Sequence, residues 1–175
     1  LATTSVFTPA QHVTMLLVTV GLLAVSILLG KFGSERGVRW ALLISGVLVW
    51  LGSGWYFAFH PLEMHMEGPS AGRMKLEESL PIQACDLLAL IAPLALVLRS
   101  RPIRAIAYFG GIGLTTQAFL TPVIDTGPDT LKFWAFWLLH MVILISAVFD
   151  LTVGGFRPNW KDLCWAVGFW FIYAI

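Results

Sequence analysis

The chain has 175 residues and a net charge of +1; 58% of it is hydrophobic and only 12% is charged, with a mean hydropathy of +0.81. A soluble domain of this length could not hide so much apolar surface, so the composition excludes a water-soluble fold and points to a polytopic membrane protein. No basic stripe interleaved with aromatics is present, so nucleic acid is not an expected partner.

Six apolar segments follow one another at roughly 11–30, 39–59, 80–98, 102–121, 131–151 and 161–175, each bounded by charges, Pro or Gly. A spanning helix needs ~20 residues. The first segment opens with Gln11-His12 and is followed by Lys31, Arg36 and Arg39. The second ends at His60-Pro61-Leu62-Glu63-Met64-His65-Met66-Glu67. Its nitrogen and thioether donors make His60 and His65 secondary candidates for copper or zinc, although a solvated amphipathic loop accounts for the same residues without a metal. The third segment begins Leu80-Pro81-Ile82-Gln83-Ala84-Cys85-Asp86 and continues as Leu87-Leu88-Ala89-Leu90-Ile91. The fourth contains Gly110-Gly111-Ile112-Gly113, which lies inside an apolar helix with no preceding strand and therefore reads as a helix-packing site rather than a nucleotide loop. The fifth holds a lone His140 within Phe136-Trp137-Leu138-Leu139-His140-Met141-Val142. The sixth stops at Ile175 without a polar cap, and the chain opens at Leu1. The expected fold is therefore all-α, a single transmembrane helix bundle over 1–175, with a seventh helix expected in a longer parent protein.

Orientation follows from Lys and Arg placement. Lys31, Arg36, Arg39, Arg99, Arg101, Arg104, Arg157 and Lys161, eight of the eleven basic residues, fall on one side. Arg73, Lys75 and Lys132 fall on the other, beside Glu63, Glu67, Glu77, Glu78, Asp125 and Asp129. The amino terminus is accordingly expected outside the cytoplasm, in a bacterial cytoplasmic membrane.

At ~1.5 Å per residue, Cys85 is expected roughly 7 Å below the outer end of its helix and His140 about 13 Å below the end of its own. Gln117 and His12 belong to the same outer half. Gln83 and Asp86 share one face at i, i+3. Each residue has an ordinary reading: a membrane cysteine is a small apolar filler, a carboxylate pairs in the interior, and a glutamine joins helices. Their joint occurrence on one side is what suggests a site. Asp150 and Asp162 are expected to pair with Arg157 and Lys161 at the opposite end. Cys85 and Cys164 fall near opposite faces, so no disulfide is expected.

Three ordered motifs carry a resemblance: Leu80 through Asp86, then Gln117-Ala118-Phe119-Leu120-Thr121-Pro122, then Phe133-Trp134 with Leu138-Leu139-His140. Together with Phe7-Thr8 and Gln11-His12, they resemble the YwaF-like family of integral membrane proteins, which includes the eukaryotic transmembrane protein 164. Many relatives carry histidine where Gln83 stands, and the family's Asn-Tyr-containing loop and last helix have no counterpart in the sequence. The resemblance implies a phospholipid acyltransferase with Cys85 as the acyl-carrying nucleophile and His140 as its base. Gln83 or Gln117 would donate to an oxyanion, and Asp86 or His12 would orient neighbours. Membrane lipids are the expected partners and no cofactor is expected. A different class also fits the composition: a non-catalytic accessory subunit packed against a larger membrane complex. A pigment-ligating role for His140 is a third possibility.

Overall fold

The computed structural model describes residues 6–59, 83–124 and 126–174. Six helices occupy them: α1 (Pro9–Phe32), α2 (Glu35–Phe59), α3 (Ala84–Leu98), α4 (Arg101–Leu120), α5 (Leu131–Thr152) and α6 (Trp160–Tyr173). No strand is formed among the described residues, only an isolated antiparallel bridge between Val6 and Thr126.

Local chemistry sets several of the helix starts. Thr8 caps α1 in a reciprocal box with Gln11, and Pro9 occupies the first turn, where its missing N–H costs nothing. Thr130 accepts the Phe133 N–H at the start of α5. Asn159 caps α6, and Asp162 reaches back to the Asn159 N–H at 2.8 Å. These ends lie within a few residues of the hydropathy limits. Two starts differ by four residues: α2 begins at Glu35 rather than near residue 39, and α3 begins at Ala84 rather than near residue 80, so Cys85 sits in the first turn of α3.

The long helix α5 is the hub, packed against α1, α2, α3 and α4, while α6 rests on α4. Its buried face carries Phe133, Trp137, Met141, Ile145 and Phe149. By contrast α1 buries only Met15, Thr19 and Gly30 and exposes Val13, Leu17, Val20 and Leu28. Such an outward apolar surface suits hydrocarbon, not water. Among the described residues, three helices are long and apolar enough to cross a membrane: Pro9–Phe32, Glu35–Gly54 and Leu131–Thr152.

Glycines set the closest approaches. A Cβ on Gly110 would meet Trp170 of α6 at 2.7 Å and Leu88 of α3 at 2.9 Å, and one on Gly111 would meet Ala147 and Ile143 of α5. The glycine run is thus a helix-packing site, as its apolar setting suggests. Gly46 of α2 faces the Pro93 ring in α3, where the proline removes the N–H that would bond the Ala89 carbonyl.

At the basic end, the acidic partners differ from the sequence expectation. Asp150 pairs with Arg104, and Asp162 pairs with Arg101. Both arginines project from the first turn of α4 and reach carboxylates on neighbouring helices, whereas Arg157 turns back to the carbonyls of Leu151 and Phe156.

Candidate functional site

A cavity of about 310 Å³ opens where the start of α3 meets the first half of α5 and the loop after α4. Gln83, Cys85, Asp86 and His140 all line it, joined by Ser53 of α2 and Lys132 of α5. Four of the residues singled out in the sequence therefore converge.

Cys85 is a free, half-buried thiol one residue into α3. The N–H groups of a helix's first turn have no intrahelical acceptor, so this thiol lies beside unsatisfied backbone donors. Asp86 is buried, and its carboxyl interacts with the Gln83 backbone N–H, the reach-back half of a capping box. Gln83 is the exposed N-cap residue, and its side chain makes no cap hydrogen bond.

His140 is buried at 7% exposure. Its Nδ1 lies 2.6 Å from the Phe136 carbonyl oxygen and donates to it, and the Phe136 ring, tilted by 42°, has its centroid 4.4 Å from that of the imidazole. A neutral imidazole with a proton on Nδ1 keeps its lone pair on Nε2. Nε2 has no hydrogen-bond partner among the described residues, and no hydrogen bond joins His140 to Cys85 or Asp86.

Two other candidates lie elsewhere. His12 donates from Nε2 to the Phe119 carbonyl at 2.7 Å, closing one of the unpaired carbonyls in the last turn of α4. Its ring belongs to an aromatic cluster with Phe7 and Trp137, outside the cavity wall. Gln117 is exposed on α4 and is not among the cavity residues; its backbone carbonyl receives Thr121. Lines of sight along single helices placed both in the outer half, but helix rotation turned them away. Conversely, Ser53 gave no sequence signal, because a serine between glycines in an apolar helix reads as packing. It is 3% exposed, and its hydroxyl has no partner among the described residues.

His60 and His65 lie outside the described residues. Among those described, no three His, Cys, Asp or Glu side chains gather as a metal site. No curated protein and no solved structure gives a significant match to the chain. The sequence profile of the TMEM164 family matches residues 6–175, a span that includes every helix and the whole cavity wall. With its outward apolar helices, the chain is an integral membrane protein and belongs to the TMEM164 family.

Proposed function

We propose that the protein is a thiol-dependent phospholipid acyltransferase working in the outer half of a bacterial cytoplasmic membrane. The observation that carries this reading is the shared cavity: Cys85 and His140 line one chamber, and the Nδ1–H bond to Phe136 leaves Nε2 of His140 as its basic nitrogen.

A free thiol titrates near ~8.5 and is mostly protonated at neutral pH, so it needs a base. Nε2 of His140 takes the Cys85 proton as Sγ attacks the ester carbonyl of a phospholipid. The tetrahedral oxyanion is held by the unsatisfied N–H groups at the start of α3 and by the Gln83 amide. One such donor typically contributes ~3 kcal/mol to the transition state. The C–O bond then breaks, and the lysolipid oxygen leaves with the proton held on His140. A thioester on Cys85 remains. In the second half His140 deprotonates the hydroxyl of an acceptor lysolipid, which attacks the thioester; the thiolate leaves and recovers the proton. Asp86 keeps the thiol's surroundings polar and fixes the N-cap.

The test is the intact mass of the purified protein after incubation with mixed phospholipids, with and without hydroxylamine. The expected result is a hydroxylamine-labile acyl adduct that maps to Cys85 and disappears in Cys85→Ser. An unmodified thiol under every lipid would overturn the reading in favour of an accessory subunit in a larger membrane assembly.

A further inference from the structure

A second cavity, about 620 Å³, lies at the opposite, basic end of the bundle, between the start of α2 and the end of α3. Glu35, Arg36, Arg39, Trp40, Val97 and Arg99 line it. Three guanidinium groups thus face one carboxylate. The other arginines of the first turn of α4 are already neutralised, Arg101 by Asp162 and Arg104 by Asp150. Of the five surplus positive charges at this end, two therefore lie in this cavity wall, the densest cluster, and the other three sit singly on Lys31, Arg157 and Lys161.

The three arginines are held differently. Arg39 is 8% exposed; Nη1 donates to the Leu96 carbonyl in the last turn of α3 at 2.9 Å, and Nη2 pairs with Glu35. Its Nε is buried without a hydrogen-bond partner among the described residues. Arg99 reaches Glu35 only loosely, at 3.4 Å. It caps α3 with φ of 54°, making it the one non-glycine residue with positive φ among those described. Glycine is the usual residue there, because a side chain in that conformation is disfavoured. Arg36 is exposed and makes no hydrogen bond or ion pair among the described residues.

We propose that this cavity binds the phosphate of an anionic phospholipid. Guanidinium groups match phosphate oxygens in a bidentate fork, and basic pockets between transmembrane helices recognise acidic headgroups. The surface that continues from the cavity selects a lipid over a free phosphate. Trp40, Ile44, Val47, Leu48 and Leu51 are all exposed along α2. They recur at helical spacing from the cavity rim inward and form a track along which acyl chains lie. Trp40 at its start matches the interfacial position that tryptophan favours. The headgroup displaces the loose Arg99–Glu35 contact, and Arg39 keeps Glu35 as its partner.

The experiment is native mass spectrometry of the full chain in detergent, titrated with phosphatidylglycerol or phosphatidylcholine of identical acyl chains. Phosphatidylglycerol is expected to bind preferentially, and its affinity to fall about thirtyfold in an Arg36→Gln/Arg99→Gln double variant, on the scale of two surface cations near an anionic headgroup. Both positions are exposed, so the fold is retained. A Lys31→Gln/Lys161→Gln variant with the same change in charge is expected to bind as the parent does. Equal loss in that control would overturn the proposal in favour of diffuse attraction, as would equal binding of the two lipids. Displacement of the lipid by millimolar inorganic phosphate would reassign the cavity to free phosphate.

Discussion

Arg104 of α4 and Asp150 of α5 meet through two hydrogen bonds, Nε to Oδ2 at 2.7 Å and Nη2 to Oδ1 at 2.8 Å. Arg104 also donates to the Gly154 carbonyl at 3.0 Å, and its guanidinium lies 4.7 Å from the Phe156 ring centroid. Both side chains are largely buried, at 15% and 9% exposure. A fork of this kind fixes orientation as well as proximity, and it locks the helix carrying His140 against α4.

Removing one partner of a buried pair leaves the other charge uncompensated, at a cost of about 3–5 kcal/mol. Arg104→Gln and Asp150→Asn are each expected to destabilise strongly. Replacing both by apolar residues of similar volume is expected to cost less than either single change, because no lone charge remains. Thermal unfolding in detergent of the two single variants and the double variant checks this; additive losses would show that the pair is not coupled.

Asp162 is 1% exposed and does two jobs: it accepts two hydrogen bonds from Arg101, at 2.9 and 2.8 Å, and the Asn159 N–H. Asp162→Ala is expected to loosen α6 more than Asn159→Ala, which removes only the cap and costs about 1 kcal/mol. Hydrogen exchange across 160–173 reads the difference, with faster exchange confined to α6.

Gly46 and Gly21 separate packing from propensity. A Cβ on Gly46 would lie 2.6 Å from the Ala89 carbonyl oxygen and 2.7 Å from the Pro93 ring, whereas one on Gly21 meets nothing within 4 Å. Neither neighbour of Gly46 can rotate away. Gly46→Ala is expected to destabilise by about 1–3 kcal/mol through overpacking. Gly21→Ala is expected to stabilise by up to about 1 kcal/mol through helix propensity. Opposite shifts in Tm are the expected result.

His140 and His12 should separate cleanly in acylation rate. His140→Ala is expected to slow formation of the Cys85 acyl adduct by about 100-fold or more, the usual range for a general base, and also to lower Tm, because the buried ring packs on Phe136. His12→Ala removes the bond to Phe119 and is expected to lower Tm while the acylation rate of the folded protein stays within about twofold of the parent, since His12 lies outside the cavity. Single-turnover acylation followed by mass, alongside thermal unfolding, measures both.

The amino-acid sequence by itself determined the membrane class, the six helices and most of their limits, and singled out Cys85 and His140. These rest on local properties: the length of an apolar run, the residues that cap it, and a polar group too costly to leave idle in hydrocarbon. Only the tertiary structure decided which polar residues meet. It brought Ser53 and Lys132 to the cavity, left His12 and Gln117 outside it, and gave Asp150 and Asp162 to the arginines of α4. Each such outcome depends on how a helix is rotated about its axis and which neighbour it faces. Successive side chains turn by about 100°, so a small rotation moves a residue from cavity to lipid without altering the hydropathy pattern.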